Sequence, residues 1–462
     1  MGRLVVISNR VALPKETRAG GLASALSGAL AERGGLWVGW SGNVVDDVGA
    51  RALRTERAGN IEYALLDLTR TEYNHYYLGF ANRTLWPLLH FRPSLLEYRR
   101  ADFEGYRAVN RLFAEQVARF VRDDDIVWVH DYHLIPLADE LRKLGVGARV
   151  GFFLHIPLPP AALLTMLPHH EHLFPLFGSY DLIGVQNRRD RDALLEYLRT
   201  EMHAKTRSNG DVHLGNGRRL RVQPFPVAID TLDVARQAKR AAGSAATQRL
   251  IRSLEHRALA IGVDRLDYSK GIPQRFEAFA HFLSQHPEWR SRISFLQIAP
   301  PSREEVPEYR ELRSRLERLA GATNGRWSEP DWMPIRYVNR SFNQATLAGF
   351  FRAADIAVVT PLRDGMNLVA KEYVAAQDPD DPGVLILSSF AGAADELQQA
   401  IIINPFDSDD IAESFVTALQ MPLAERRERW QAMFDYLVRN DVTAWRTRYL
   451  DALAEDTPRA VA

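Results

Sequence analysis

The residues best suited to chemistry stand in one connection of the chain, residues 360–372. The apolar run of residues 355–360 predicts a buried strand, and a helix is predicted to begin near Leu368. In an open α/β sheet such connections lie at the carboxyl ends of the strands, where ligands bind, and the first turn of the helix offers N–H groups to an anion. Asp364 and Glu372 flank those donors. Carboxylates can bind the hydroxyls of a sugar, and backbone amides next to them can bind phosphate, so the segment suits a sugar nucleotide. For this segment alone, a polar loop with a capping Asp is the ordinary alternative.

A second connection carries two cations. Residues 264–273 link a predicted strand to a predicted helix and contain Arg265 and Lys270. Arginine supplies a planar fork and lysine a point charge, a pair suited to a diphosphate. Residues 18–22 add two glycines before a helix predicted over residues 22–31, where backbone amides could approach an anion closely. Neither a Walker A sequence nor a G-x-G-x-x-G follows a strand, so P-loop and dinucleotide-binding interpretations fail on spacing.

Further polar residues collect where other predicted strands end. They are Arg10, His130, Asp131, His133, His155 and Arg303. Each one alone could be a helix cap, a salt-bridge partner or a core histidine. Several such groups at strand exits are difficult to explain by packing, so the set predicts a ligand site.

Short apolar runs alternate with amphipathic helices along most of the chain. Strands are predicted over residues 4–9, 126–131, 150–156, 182–186, 258–263, 293–299, 355–360, 384–388 and 401–404. Near-continuous apolar runs are typical of parallel strands covered on both faces. Residues 231–248 are polar, alanine-rich and free of strand signals, and they divide the chain in two. We therefore predict an α/β fold of two Rossmann-like, doubly wound domains, residues 1–235 and 236–440, with a C-terminal helix in residues 441–462 that could pack back on the first domain.

The composition narrows the class of function. The chain has 462 residues with 58 basic and 58 acidic side chains, so its formal net charge is zero and no global field would draw it to nucleic acid or an anionic membrane. It has no cysteine, which excludes disulfides, thiolate metal sites and cysteine nucleophiles. The first apolar run, residues 4–8, is too short for a signal sequence or a membrane span. We therefore expect a cytoplasmic protein.

Several segments, taken in their order along the chain, resemble those of one known family. They are Ser8–Arg10, Gly20–Leu22, Gly35–Gly42, Tyr76–Tyr77, Leu85–Pro87, His130–His133, Phe153–Pro157, Arg265–Gly271, Gln297–Pro300 and Thr360–Gln377. In these segments the chain resembles the trehalose-6-phosphate synthases, retaining glucosyltransferases of the GT-B architecture, in which two Rossmann-like domains face each other across a cleft. The resemblance implies transfer of glucose from a nucleoside diphosphate glucose, usually UDP-glucose, to glucose 6-phosphate. The product would be trehalose 6-phosphate, and no phosphatase signature accompanies the synthase motifs.

The resemblance also implies a role for each matching residue. The residues expected to bind the donor are Gly21, Leu22, Arg265, Lys270, Phe342, Asp364, Gly365, Met366, Asn367, Leu368, Val369 and Glu372. Those expected to bind the acceptor are Arg10, Tyr77, Trp86, Asp131 and Arg303. Those expected nearest the reaction are Arg265, Lys270, Asp364, His155 and Asp131.

The implied mechanism uses fixed charge and neither a cofactor nor a metal. A front-face substitution is expected, in which the departing diphosphate is stabilised by Arg265 and Lys270 and helps to deprotonate the acceptor hydroxyl. His169, His170 and His172 lie on a polar stretch without a partnering carboxylate pattern, so no zinc site is expected there.

Two other functions stay open at this point. One is a transferase of the same architecture with another acceptor, such as a glucosylglycerol-phosphate or pseudo-sugar phosphate synthase, and the other is a non-catalytic sugar-phosphate sensor. The nucleobase of the donor is not determined by the sequence, and a homo-oligomer is possible.

Overall fold

The computed structural model describes residues 2–13, 21–50, 52–303 and 305–455. The chain forms two compact units. The first unit comprises the chain up to Val227 together with the chain from Thr443 onward, and the second unit is Ala228–Val442. Within the described residues, no helix combines the length and apolar character needed to cross a bilayer.

The strands and helices alternate in both units. The strands are β1 (Leu4–Arg10), β2 (Gly35–Val45), β3 (Leu53–Ala58), β4 (Ile61–Thr69), β5 (Ile126–His130), β6 (Arg149–Phe153), β7 (Leu182–Val185), β8 (Lys205–Thr206), β9 (Asp211–His213), β10 (Arg219–Pro224), β11 (Ala258–Val263), β12 (Ile293–Ile298), β13 (Ile335–Val338), β14 (Ile356–Val359), β15 (Val384–Ser388) and β16 (Ile401–Ile403). The α-helices are α1 (Gly21–Arg33), α2 (Arg70–Glu72), α3 (Trp86–Leu89), α4 (Arg100–Val117), α5 (Leu137–Lys143), α6 (Ala161–Leu164), α7 (Arg188–Glu201), α8 (Thr231–Ala241), α9 (Ala245–Arg252), α10 (Ile272–Gln285), α11 (Pro307–Trp327), α12 (Gln344–Arg352), α13 (Leu368–Ala376), α14 (Ser408–Gln420), α15 (Leu423–Arg439) and α16 (Val442–Ala454).

The first unit is built on a ten-stranded sheet in the order β3-β4-β2-β1-β5-β6-β7-β10-β9-β8. Its central strands are parallel, while β3 at one edge and β9 and β8 at the other are antiparallel to their neighbours. Val5, Val6 and Ile7 of β1 are fully buried. The near-continuous apolar run of β1 is therefore explained by helices and loops on both faces.

The second unit is built on a six-stranded parallel sheet in the order β13-β12-β11-β14-β15-β16. The chain adds strands on one side of β11 and then returns to its other side with β14, so the winding reverses between these two strands. In the first unit the same reversal lies between β1 and β5. Ligands bind at such reversal points in open α/β sheets, outside the carboxyl ends of the strands.

The predicted fold class is confirmed, but the boundary between the units differs from the prediction. The second unit begins at Ala228, before residue 236, because α8 packs on α12 and α13. The last helix, α16, belongs to the first unit, where Trp445 and Tyr449 pack against Trp128 at 5.3 and 4.7 Å between ring centroids. Strands β2, β3, β4, β8, β9, β10 and β13 were not predicted.

Candidate active site

Most of the predicted donor residues of the second unit lie where its strand order reverses. Residues 264–271 follow β11 and residues 360–367 follow β14, the adjacent strand. Nζ of Lys270 donates to Oδ2 of Asp364 at 2.5 Å, and Nδ2 of Asn367 donates to the same oxygen at 3.1 Å. The side chains of Lys270 and Asp364 are only 14% and 13% exposed. The fold thus brings a cation, a carboxylate and an amide together from the two predicted connections.

The connection after β11 is shaped by a capped turn. Oδ1 of Asp267 accepts a hydrogen bond from the N–H of Ser269 at 2.9 Å, in a 3-10 turn that ends at Lys270. Gly271 then adopts φ +65°, and a Cβ atom there would lie 2.0 Å from the carbonyl oxygen of Thr360. Because only glycine fits this approach, Lys270 is held beside the exit of β14.

The connection after β14 is fixed by the chain that follows β15. The N–H of Gly392 donates to the carbonyl oxygen of Asp364 at 3.3 Å, and the N–H of Ala393 donates to that of Met366 at 2.8 Å. Gly365, between these two contacts, is buried. The three residues Asp364, Gly365 and Met366 are therefore positioned through their backbones.

Helix α13 begins directly after this connection. Asn367 caps it in a left-handed conformation, φ +78°, and Oδ1 of Asn367 accepts from the N–H of Ala370 at 3.2 Å. Leu368 and Val369 are the first two helical residues. Their N–H groups have no acceptor within an α-helix, which is the arrangement that a phosphate contact requires.

Glu372 is a half-buried carboxylate in α13 that lacks a compensating partner. Within the described ranges its carboxylate makes neither a hydrogen bond nor an ion pair, and burial raises the pKa of Glu372 to about 7. A carboxyl whose pKa is perturbed in this way is typical of a functional site. Hydroxyl groups of a ligand would supply the missing hydrogen-bond donors.

Phe342 lies after β13, where the donor base is expected. Its ring packs edge-on against that of Phe350, with 5.3 Å between the centroids. The guanidinium of Arg340 lies 4.8 Å from the centre of the Phe342 ring. The ring is partly exposed and is therefore accessible to a ligand.

The two predicted arginines of the second unit differ in their surroundings. Arg265 is exposed, whereas only 8% of the Arg303 side chain is exposed. Nη1 of Arg303 donates to the hydroxyl of Tyr309 at 2.6 Å and lies 3.5 Å from Oδ2 of the buried Asp267. Because Asp267 also caps the turn that ends at Lys270, Arg303 is joined to the donor connection in addition to its predicted acceptor role.

In the first unit, Arg10 and Asp131 occupy the reversal point between β1 and β5. Arg10 ends β1 and is exposed, and Asp131 follows β5. Asp131 has φ +76°, and its Oδ1 accepts from the N–H groups of Tyr132 at 3.1 Å and His155 at 3.3 Å. Left-handed residues other than glycine are strained and concentrate at functional sites, and Asn367 and Arg303 share this property.

His155 is hydrogen-bonded to a second histidine. Nδ1 of His130 lies 3.0 Å from Nε2 of His155, and His130 is fully buried. Burial lowers the pKa of both rings, that of His155 to about 3. Both rings are therefore neutral near pH 7, and His155 can act there as a hydrogen-bonding group but not as an acid.

Tyr77 lies on the π-helical segment Tyr73–Leu85, and Trp86 is the first residue of α3, which follows that segment. The Tyr77 ring stacks on that of His133, with 5.9 Å between centroids and 11° between planes. Trp86 is only 5% exposed and packs on His90 at 4.0 Å. Tyr77 is thus the more accessible of the two predicted acceptor residues.

The glycine-rich segment is described only from its helical end. Helix α1 begins at Gly21, and Leu22 is its second residue. Residues 14–20 lie outside the described part of the chain. The contact of Gly21 and Leu22 with the donor therefore stays a prediction.

Arg275, on α10, was not among the predicted site residues. It donates to Asp264 at 2.8 Å and to Thr360 at 3.0 Å, beneath both donor connections. The sequence does contain a signal, because Arg275 stands in the apolar stripe that Ile272 and Phe276 form along the helix. A charged residue in such a stripe requires buried partners.

The histidines of residues 169–172 lie at the surface with a carboxylate between them. Ligand atoms of His169, Glu171 and His172 lie within 4.8 Å of one another, and all three residues are exposed. The premise that these histidines lack a partnering carboxylate is therefore wrong, because Glu171 is one. That no zinc site exists here stays a prediction.

Comparison with known proteins identifies relatives over the whole chain. The model of glycosyltransferase family 20 matches residues 7–455. A trehalose-6-phosphate synthase of Sinorhizobium fredii is 48% identical, with 99% of this chain and 100% of the relative covered. The crystal structure of an α,α-trehalose-phosphate synthase (UDP-forming) from Burkholderia xenovorans in complex with glucose-6-phosphate is 45% identical, with a TM-score of 0.95 and coverage of 98% of this chain and 100% of the other. An E. coli structure bound with UDP-2-fluoro glucose is 43% identical, with a TM-score of 0.94 and coverage of 99% and 100%.

Proposed function

The chain belongs to glycosyltransferase family 20, and from that premise we propose that it transfers glucose from UDP-glucose to glucose 6-phosphate to form trehalose 6-phosphate. The observation that carries the proposal is the contact of Lys270 with Asp364 where the strand order of the second unit reverses, directly before the N-terminus of α13. This contact places a cation that can bind phosphate beside a carboxylate that can bind sugar hydroxyls. The relatives named above support the same pair of substrates.

The ion pair of Lys270 is compatible with binding of a diphosphate. An ammonium group carries three N–H donors, and one contact with Asp364 leaves others for phosphate oxygens. Arg265, which is exposed, adds a second cation, and the N–H groups of Leu368 and Val369 add the helix N-terminus. Asp364 then accepts from hydroxyls of the transferred glucose, and Glu372 accepts from the ribose hydroxyls.

The reaction proceeds by substitution on one face of the sugar. The bond between the anomeric carbon and the diphosphate oxygen breaks, and a bond to the anomeric hydroxyl oxygen of glucose 6-phosphate forms on the same face. The proton of that hydroxyl passes to the departing diphosphate. Lys270 and Arg265 stabilise the negative charge that develops on the leaving group.

Fixed cationic side chains supply this charge, so we propose that the reaction needs no metal. Activity should be the same after dialysis against a chelator and after addition of Mg²⁺. A loss of activity on chelation that Mg²⁺ restores would contradict this part of the proposal.

The acceptor phosphate is held by arginine. Arg10 and Arg303 bind it, Asp131 and Tyr77 orient the sugar ring, and His155 contacts the donor glucose near the reacting carbon. Charge-assisted contacts of a dianion with guanidinium groups are among the strongest in proteins. Trp86 contributes mainly by packing beneath the acceptor, since it is enclosed.

A coupled assay of UDP release tests the proposed reaction. UDP-glucose is supplied with glucose 6-phosphate, with glycerol 3-phosphate or with no acceptor, and ADP- and GDP-glucose replace it in parallel. Release only with UDP-glucose and glucose 6-phosphate is expected. Faster release with glycerol 3-phosphate would assign another acceptor, and binding of the sugar phosphate without release would indicate a sensor.

We also propose a cytoplasmic location, because both substrates are phosphorylated metabolites of that compartment and the chain has no cysteine. Cell fractionation tests this location. A homo-oligomer stays a prediction that light scattering of the purified protein can test.

A further inference from the structure

A fully buried arginine lies beneath the donor connections. The side chain of Arg275 is 0% exposed. Its Nη1 donates to Oδ2 of Asp264 and to Oε1 of Gln297, each at 2.8 Å, and its Nε donates to Oγ1 of Thr360 at 3.0 Å. Its Nη2 lies 3.5 Å from the carbonyl oxygen of Lys270. One guanidinium therefore contacts three segments: β12, the connection after β11 at two points, and the connection after β14.

These partners lie in one strand and in the connections that follow the two strands next to it, one of which carries Lys270. Gln297 lies in β12, Asp264 directly follows β11, and Thr360 directly follows β14. The three strands are neighbours in the order β12-β11-β14. Because a guanidinium is planar and its donors point in fixed directions, Arg275 sets the relative positions of these strand ends.

The space for the Arg275 side chain depends on a glycine at position 262. A Cβ atom at Gly262 would lie 2.4 Å from Nη1 of Arg275 and 2.4 Å from Oε1 of Gln297. Any larger residue at 262 would therefore displace the guanidinium from Gln297.

The buried charge of Arg275 is compensated by Asp264, which is itself 2% exposed. Burial raises the pKa of Asp264, while the nearby Arg275 and Lys270 lower it and Asp364 raises it. Asp264 is thus within electrostatic range of both members of the Lys270–Asp364 pair. Without Arg275, the Asp264 carboxylate would be a buried charge that has lost its ion-pair partner, next to the donor connections.

We propose that Arg275 is a positioning residue of the donor site. It holds the exits of β11 and β14 in register, and it neutralises the buried carboxylate of Asp264 beneath the connection that carries Lys270. It touches neither substrate, because it is enclosed by protein. This inference rests on the proposed function only for the identity of the ligand, UDP.

The test compares Arg275→Lys with a double variant, Asp264→Asn with Arg275→Met. The lysine keeps a cation beside Asp264 but lacks the planar fork, and the double variant removes both buried charges together. Tyr373→Phe is the matched control, because it removes one buried hydrogen bond of the same unit, from the Tyr373 hydroxyl to the carbonyl of Ala354 at 3.1 Å.

UDP affinity by calorimetry, Tm, kcat and the KM values of both substrates are measured for each variant. We expect Arg275→Lys and the double variant to bind UDP about 10- to 100-fold more weakly, with lower kcat and an unchanged KM for glucose 6-phosphate. The control should lower Tm without changing UDP affinity.

Three outcomes separate the possibilities. Wild-type UDP affinity in either Arg275 variant would overturn the positioning role. A loss of UDP affinity in the Tyr373→Phe control equal to that of the Arg275 variants would also overturn it, because the effect would then follow stability alone. Failure of the wild-type protein itself to bind UDP would instead refute the proposed function.

Discussion

Replacing Glu372 with glutamine should stabilise the protein at high pH while weakening donor binding. Burial raises the pKa of this carboxyl from 4.5 to about 7. A carboxyl of raised pKa holds its proton more tightly in the folded chain, so its stabilising contribution is present below about pH 4.5 and is lost as the pH rises through about 7. Above that pH the wild-type protein carries the full cost of a buried charge, and glutamine carries none of it.

The magnitude follows from the two pKa values. At about 1.36 kcal/mol for each pH unit between them, the cost reaches about 3 kcal/mol at pH 9 but only about 1 kcal/mol at pH 5. For a unit of about 200 residues, Tm of the E372Q variant should rise by about 7 °C at pH 9 and by about 2 °C at pH 5. Scanning calorimetry at the two pH values measures the difference.

The control for this experiment is Glu311→Gln, at an exposed position of α11 in the same unit. Its Tm should stay close to that of the wild type at both pH values. A gain in Tm for E372Q that is equal at pH 5 and pH 9 would show that Glu372 is not an uncompensated buried carboxylate. In parallel, UDP affinity should fall about tenfold in E372Q, and an unchanged affinity would remove Glu372 from the donor site.

Two further variants divide donor chemistry from acceptor binding. Lys270→Ala should lower kcat by about 100-fold or more, because Lys270 is proposed to stabilise the leaving group, while the affinity for glucose 6-phosphate measured by calorimetry is retained. An equal loss in kcat and in that affinity would indicate that Lys270 supports only the stability of the fold. Arg303→Lys should retain the wild-type Tm, because a cation stays beside Asp267. It should raise the KM for glucose 6-phosphate, because the planar guanidinium is lost. A KM that stays at the wild-type value would remove Arg303 from the acceptor site.

The strands that precede the proposed donor site could be predicted because their signals are local. The apolar run of β14 ends in Thr360 and a loop of turn-forming residues, and β11 ends in the same way before Arg265. Strand β2 was missed because Gly35, Gly39 and Gly42 interrupt its apolar pattern. Strand β3 was missed because five of its six residues are exposed and it only forms an edge.

The left-handed conformations of two candidate site residues could not be predicted, because contacts far along the chain impose them. Asp131 adopts φ +76° while its carboxylate accepts from the N–H of His155 on the next strand connection. Asn367 adopts φ +78° in a loop whose backbone is bonded to the chain after β15. The local sequence gives no signal for such partners, so only the residue types and their positions after strands indicate these two residues as site candidates.

The same limit explains why the strand exits could be predicted from the sequence and the contact between two of them could not. Each strand exit is encoded locally, but the order of the strands in the sheet is not, and only that order places β11 beside β14. Lys270 and Asp364 are 94 residues apart, yet they meet at 2.5 Å because the winding reverses between these two strands. Arg275 contacts the ends of the same two strands and of β12, so the contact between Lys270 and Asp364 depends on a residue that no motif contains. A substitution that shifts β11 against β14 should therefore impair the site even when every residue predicted to contact substrate is retained.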